Sequence, residues 1–169
     1  MYAQATKILK KVLDVDTIYK IGFNWSPMYR RSVGKLIYIS KDMYEIKVKI
    51  PLNYKNRNYA GTIFGGSLFS ATDPIYMIQL IEILGRNYIV WDKDAEIKYK
   101  RPARSTAFAD FKFSESEIKK IKEEVKINGE FNLIKTLNIT NEDSSIVFAN
   151  LKKTIYIADK TYYAQKKKK

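Results

Sequence analysis

Hydrophobic residues recur along this chain with two periods, one typical of helices and one typical of strands. The first apolar residues have helical spacing, with lysines on the opposite face, and are Ala5, Ile8, Leu9, Val12 and Leu13. This pattern predicts an amphipathic helix over about residues 3–19. Its apolar stripe is expected to pack against the rest of the domain, and the alternative is a helix that lies on a membrane surface.

Alternation of apolar and polar residues predicts the strands. Residues 33–39 and 44–50 read as a hairpin whose turn lies at 40–42. Further strands are predicted over residues 88–100, 106–113, 131–139 and 146–157. In the first of these, one face is predicted to carry the odd-numbered residues Ile89, Trp91, Ala95, Ile97 and Tyr99. Lys93 breaks that face, and the other face carries Asp92, Asp94 and Glu96.

Between the two groups of strands, residues 66–84 are apolar on nearly every side and predict one long buried helix. Pro74 should interrupt its hydrogen bonds and kink it, and Gly85 suits its C-terminal cap. The length is near that of a membrane span, but Asp73 and other polar side chains argue against lipid. The prediction is an α+β fold, an antiparallel sheet wrapped around a central helix.

A smaller helix is predicted after the fourth strand, because Ser114 and Glu117 have the spacing of a capping box. The 169 residues suit a single domain, 1–169, with a core over about 33–157 and a basic tail over 160–169. No signal-peptide pattern is visible, so a cytoplasmic location is the default expectation.

Composition narrows the chemistry, because the chain contains no histidine and no cysteine. This excludes Ser-His-Asp and Cys-His catalysis, disulfides, and zinc sites built from those residues. Neither a metal nor another cofactor is predicted. The net charge of +13 favours a lysine-rich surface that keeps the protein soluble. The alternatives are a phosphate-bearing ligand, nucleic acid or an anionic membrane.

The most informative segment is 58–73, where a glycine pair opens the long helix. Gly65 and Gly66 leave backbone N–H groups at the helix start that can polarise a carbonyl or hold an anion. Asp73 follows eight residues after Gly65. Because a carboxylate in an apolar helix is costly, the combination indicates chemistry on an acyl group. The alternative is a structural carboxylate that is satisfied by Ser70.

This segment resembles the hotdog-fold thioesterases, in particular the phenylacetyl-CoA thioesterase type. The positions that match in register are Asn58, Gly61, Thr62, Gly65, Gly66, Ser70 and Asp73. Residues 61–74, with 88–93, are also similar to a branch of the superfamily known as a domain of unknown function and taken to be thioesterases. The resemblance covers about 33–157 in element order, and its specific motif covers 58–73.

The resemblance implies a homodimer, often paired into a homotetramer, with sites at the dimer interface. Backbone N–H groups near Gly65 and Gly66 would polarise the thioester carbonyl. Asp73 of the other subunit would act as nucleophile or general base.

Several neighbours are candidate substrate-binding residues. Asn58 is expected to anchor the loop or to contact substrate, and Thr62 and Ser70 carry hydroxyls that can position water. Phe64 stands where these thioesterases usually have a histidine. This departure leaves a non-catalytic acyl-binding role open. It also argues against a resemblance to the hotdog dehydratases, whose mechanism uses a histidine paired with an acid.

A basic cluster, called the basic rim below, surrounds Pro102 and consists of Lys98, Lys100, Arg101 and Arg104. Basic groups at the rim of a cleft would attract the phosphates of CoA. The alternative is ordinary strand surface.

The sequence therefore leaves three functions open. The first is an acyl-CoA thioesterase in which Asp73 activates water directly or forms an acyl intermediate. The second is a catalytically silent hotdog module that binds acyl groups or holds an assembly together. The third, a basic nucleic-acid-binding protein, is disfavoured because the basic residues are dispersed. Acyl-CoA or another acyl thioester is the expected ligand, and neither nucleic acid nor a membrane span is expected.

Overall fold

The structure, a computed structural model, describes residues 14–168. Most of the predicted N-terminal helix, residues 3–13, lies outside this range. The elements in chain order are α1 (Val15–Trp25), α2 (Pro27–Arg31), β1 (Lys35–Ile39), β2 (Glu45–Ile50), α3 (Gly65–Thr72), α4 (Ile75–Leu84), β3 (Tyr88–Tyr99), β4 (Ala107–Lys112), α5 (Glu115–Asn128), β5 (Glu130–Thr140), β6 (Val147–Asp159) and α6 (Lys160–Lys166).

The six strands form one antiparallel sheet in the order β1-β2-β4-β5-β6-β3. The predicted hairpin of β1 and β2 is present, and so is the pair of β5 and β6. β3 lies at one edge and pairs with β6 over its whole length. β4 pairs with β5 only at Phe108 and Ala109, so the sheet opens between these two strands beyond that point.

The core lies between one face of this sheet and the pair α3–α4, called the central helix below. Alternate strand residues face inward, as their period of two requires. Fully or almost fully buried side chains from both layers include Val48, Ile50, Leu68, Ala71, Ile75, Leu80, Phe111, Ile139, Ile155 and Ile157. The predicted α+β hotdog fold is therefore confirmed.

The central helix is interrupted where proline was expected to interrupt it. Asp73 and Pro74 form a two-residue break between α3 and α4, and Gly85 caps the far end with a positive φ of 81°. The expectation of burial on nearly every side was wrong, because Ser70 and Asp73 are exposed and Ile81 is 41% exposed. One chain leaves this side of the helix uncovered. Within residues 14–168, no helix is long and apolar enough to cross a membrane.

The predicted faces of β3 were right beyond Asp94, where Ala95 and Ile97 lie opposite the buried Lys153 and Leu151, and wrong up to Asp92. The pairing with β6 shifts between Asp92 and Asp94. Such a bulge moves every later side chain to the other face of the sheet. Asp92 consequently lies opposite the buried Ile155 and faces inward, while Trp91 faces outward and is 54% exposed. The break in the alternation at Lys93 was the sequence signal of this bulge.

The capping box of α5 is present, with Ser114 accepting from the backbone of Glu117 and Glu117 accepting from the backbone of Ser114. Residues 160–166 of the predicted basic tail form α6, whose start is capped by Asp159. Both helices pack at the same end of β6 and are remote in sequence from the segment 58–73.

Candidate functional site

The loop that precedes the central helix is shaped by two asparagines. Asn58 Oδ1 accepts hydrogen bonds from the backbone of Ala60 and Thr62, at 3.0 and 3.1 Å, and its Nδ2 donates to Thr62 Oγ1 at 2.9 Å. Asn56, which the sequence analysis passed over, is buried and donates to the Pro51 carbonyl at 2.9 Å. Asn58 and Thr62 therefore bond to each other, and these hydrogen bonds hold the loop before the glycine pair in one conformation.

The first turn of α3 is open. Phe64 is its N-cap, and no side chain caps this end. Among the described residues, neither Gly65 N–H nor Gly66 N–H donates to a protein acceptor. Two uncapped amides at a helix start form a site for a carbonyl oxygen or an anion.

Two aromatic rings lie directly against these glycines. A Cβ on Gly65 would lie 2.7 Å from Tyr99 Cζ, and a Cβ on Gly66 would meet the ring of Phe64. Glycine at both positions lets these rings pack closely against the helix start, and neither glycine has a positive φ. Phe64 and Tyr99 are 58% and 55% exposed, so they form an apolar wall beside the amides that one chain leaves uncovered.

Asp73 lies in the break of the central helix, and its side chain is 52% exposed in the single chain. The expectation that it sits buried within the apolar helix was wrong, since Pro74 ends α3 there and the uncovered side of the helix includes this position. Ser70, one turn earlier, is exposed on the same helix. The eight residues from Gly65 to Asp73 span about 12 Å of helix, so the two do not meet in one chain.

The partner of Asp73 is a lysine that the sequence analysis missed. Lys153 Nζ lies 3.2 Å from Asp73 Oδ1 and 2.8 Å from Asp92 Oδ2, and it also donates to the Asp73 carbonyl. The side chain of Lys153 is fully buried. Its signal in the sequence was a lysine at an inward position of β6, between Leu151 and Ile155.

Asp92 is the second carboxylate of this cluster. Its partial burial raises its pKa above the ordinary value, and Asp73 adds to the rise, while the hydrogen bond and charge of Lys153 act against it. Asp92 Oδ1 is buried and has no hydrogen-bond partner among the described residues. The cluster thus holds one cation between two acids of different exposure.

The basic rim follows the end of β3, and all four of its side chains are exposed. Lys98 pairs with Glu96 at 3.2 Å, and the Arg104 guanidinium lies 3.5 Å from the Ala60 carbonyl. The rim therefore lies beside the loop that leads into the glycine pair. Among residues 14–168, no group of three or more acidic side chains is placed to hold a metal ion.

Comparison with known proteins gives a family and a fold. The model of a family described as a domain of unknown function (DUF4442) matches residues 17–157 of the chain. No curated protein matches it.

Solved structures from several bacteria resemble the chain. PA5026 from Pseudomonas aeruginosa, described as a protein of unknown function and probable thioesterase, has a TM-score of 0.74 at 15% identity, over 85% of this chain and 95% of that one. OLEI01261 from Chlorobaculum tepidum, of unknown function, has a TM-score of 0.66 at 17% identity, over 93% and 96%. Thioesterase HI1161 from Haemophilus influenzae has a TM-score of 0.57 at 13% identity, over 82% and 87%. At these identities the likeness shows the shared hotdog fold.

Proposed function

Because this chain belongs to the DUF4442 family and has the hotdog fold, we propose that it is a thioesterase that hydrolyses acyl-CoA or a similar acyl thioester. One observation carries the proposal. The central helix begins at an uncapped glycine pair and leaves one carboxylate, Asp73, half exposed at its break. Two of the structures that share the fold also bear the name thioesterase.

The glycine pair supplies the half of the site that polarises the substrate carbonyl. The thioester carbonyl oxygen accepts hydrogen bonds from the open N–H groups of Gly65 and Gly66. As the carbonyl carbon is attacked, negative charge grows on that oxygen. Preformed amides at the positive end of a helix stabilise this charge without reorganisation.

Asp73 supplies the basic half. Acting as general base, it takes a proton from water as the water oxygen attacks the carbonyl carbon, and the proton passes to the sulfur when the C–S bond breaks. In the nucleophilic variant, an Asp73 oxygen attacks the carbonyl carbon and the C–S bond breaks to release the thiolate. Water then hydrolyses the acyl anhydride, which returns the Asp73 carboxylate and supplies the proton for the thiol. Either route yields a carboxylic acid and a free thiol.

The two halves come from different subunits. Since about 12 Å of helix separates Gly65 from Asp73 in one chain, a complete site needs Asp73 of a second copy. A homodimer with two equivalent sites meets this requirement, and the uncovered side of the central helix supports it. Phe64 and Tyr99 then line the entrance as apolar contacts for the acyl chain.

The basic rim extends the site to the carrier. Lys98, Lys100, Arg101 and Arg104 are exposed beside the loop that opens onto Gly65, where the phosphates of CoA would be attracted. Replacing Arg101 and Arg104 by serine should raise KM for acyl-CoA about 5-fold, because an exposed ion pair contributes at most about 1 kcal/mol.

A short acyl-pantetheine thioester lacks the nucleotide phosphates, so its KM should not change in that variant. Rising salt should weaken acyl-CoA binding in parallel, since exposed charges are screened beyond about 10 Å at 0.1 M salt. Replacing Lys119 and Lys122, two exposed lysines of α5, by serine removes the same charge elsewhere and is the matched control. Equal effects on both substrates would assign the rim to general surface charge.

The direct test of the proposal is thiol release from a panel of acyl-CoA substrates of different chain length and branching. Hydrolysis of at least one substrate by the wild-type protein is expected. The second candidate, a silent acyl-binding module, is favoured by Phe64 in the place of the usual histidine. Binding of acyl-CoA without thiol release from any substrate would establish that second role and overturn the first.

A further inference from the structure

Lys153 is the one fully buried lysine among the described residues, and nothing in the proposed reaction uses it. We infer that Lys153 is a positioning residue, which clamps both the carboxylate and the backbone carbonyl of Asp73 at the break of the central helix, with Asp92 as its counter-ion. This inference rests on the proposed function, in which Asp73 is the reacting acid.

The geometry joins three elements at one nitrogen. Lys153 Nζ, from β6, reaches Asp73 Oδ1 at 3.2 Å and Asp92 Oδ2, from β3, at 2.8 Å. It also donates to the Asp73 carbonyl, which belongs to the two-residue break that Pro74 creates. An ammonium group has three donors, and these three acceptors use all of them.

Burial shows why both acids are present. A lysine side chain with no exposed surface is costly unless it is paired and hydrogen-bonded. The bulge in β3 turns Asp92 inward and brings its carboxylate to this nitrogen. Asp92 therefore neutralises Lys153 inside the protein, and the exposed carboxylate of Asp73 stays available to water and substrate. Substrate cannot reach Lys153 itself, so its role is to orient.

The other charged side chains near this cluster lie on β5, β3 and β6. Directly opposite Lys153 on β5 lies Lys135, which faces the same side. Lys135 has its own acid, Glu117 of α5, at 2.6 Å, and it lies over the rings of Phe113 and Tyr76. On β3 and β6 the neighbours Lys93, Asp94 and Lys152 lie on the outer face of the sheet. The lysine that pairs with Asp73 is therefore Lys153 and not Lys135.

The first test is the pH dependence of kcat for two variants. Lys153→Met removes the clamp, so kcat should fall about 10-fold or more, as a misplaced reacting group requires, while KM changes less than twofold. Loss of the cation beside the reacting carboxylate disfavours its charged form, so the acidic limb of the profile should move to higher pH. Asp92→Asn removes a repelling charge and should move the limb to lower pH.

Opposite shifts from two neighbouring variants are not expected from a merely structural cluster. Lys152→Met, at the adjacent exposed lysine, is the matched control and should leave kcat and the limb unchanged. A Lys153→Met enzyme with kcat within twofold of the wild type would overturn the inference. If that variant does not fold, Asp92→Asn is the deciding variant. An acidic limb of its kcat profile at the wild-type pH would then overturn the inference.

A second readout needs no activity. Carbon-13 NMR follows the titration of Asp92, whose pKa should rise in Lys153→Met and fall in Asp73→Asn. If the wild type hydrolyses no thioester but the pKa of Asp92 shifts in both variants as expected, the proposed function is refuted and the clamp on Asp73 stands. An active wild type in which Asp92 titrates identically in both variants would refute the clamp alone.

Discussion

At the scale of single residues, the surroundings of a few side chains decide their roles. Gly65 lets the Tyr99 ring lie against the start of α3, and an added Cβ would fall 2.7 Å from Tyr99 Cζ. The ring is half exposed and can swing away. A side chain at Gly65 should therefore lower catalytic activity more than it lowers the stability of the fold.

Gly65→Ala should lower kcat about 10-fold or more, because one displaced donor at a developing oxyanion costs about 100-fold when lost entirely. Its midpoint of thermal unfolding should stay within a few degrees of the wild type. Gly22→Ala is the matched control, since a Cβ there meets nothing within 4 Å. It should stabilise the protein by up to about 1 kcal/mol, through helix propensity alone, and leave kcat unchanged. Equal kcat values in the two variants would show that the helix start takes no part in the reaction.

The sequence predicts Asp73, Gly65 and Gly66 as site residues because a linear motif carries them, and their role in the site stays a prediction. It did not predict the cluster of Lys153 and Asp92, since that cluster exists only through strand register. One bulged residue decides whether Asp92 faces the core or the solvent. A lysine at one inward position reads in isolation as a break in an apolar pattern, and its two partners are 61 and 80 residues away.

At the scale of elements, helix signals were reliable where local chemistry sets the boundary. Pro74 ended α3, Gly85 capped α4, and Ser114 with Glu117 began α5. The exposure of the central helix was not predictable, because it depends on which neighbours cover each side. The opening between β4 and β5 is of the same kind, since pairing depends on both strands and not on either strand alone.

The ion pair at the start of α5 predicts a pH dependence of stability. Burial raises the pKa of Glu117, but hydrogen bonds from Lys135 and Ser114 outweigh it, and the net pKa lies below the ordinary 4.5. A lowered folded-state pKa stabilises the protein above about pH 4.5 and loses this contribution as pH falls. Glu117→Gln should therefore lower the free energy of unfolding by about 1 kcal/mol at pH 7, discounted for partial exposure.

That difference should shrink steadily in unfolding measurements between pH 5 and pH 3, since both proteins then carry an uncharged side chain at this position. Glu115→Gln removes a charge from the same first turn without the ion pair and is the control for the helix dipole. A Glu117→Gln deficit that is constant with pH would show that packing, and not the ionised pair, is responsible.

At the scale of the whole molecule, the sheet has two unequal edges. β1 is five residues long, has a register shift, and is packed by α1. β3 is twelve residues long, pairs with β6 on one side, and exposes Trp91. A long unprotected edge is a template for pairing with another chain. We therefore expect two copies to join through β3 into one continuous sheet around a two-fold axis.

Mixing two inactive variants tests this assembly and the shared site together. Asp73→Asn lacks the acid, and Gly65→Asp places a carboxylate where the carbonyl oxygen would bind. In a random mixture, half of the dimers are mixed and each has one intact site, so about a quarter of wild-type activity should return. Mixed dimers without activity would contradict a shared site, and a monomer mass by light scattering at micromolar concentration would contradict the dimer.

The central claim is that Asp73 performs the chemistry, and the most direct measurement is kcat for thioester hydrolysis by Asp73→Asn beside the wild type. The amide keeps the shape, and Lys153 retains Asp92 as its partner, so the fold and the dimer should survive. Asp94→Asn, an exposed acid on the outer face of β3, is the control. We expect kcat to fall about 100-fold or more in Asp73→Asn alone. Equal hydrolysis by Asp73→Asn and the wild type, or unfolding of the variant, would contradict it.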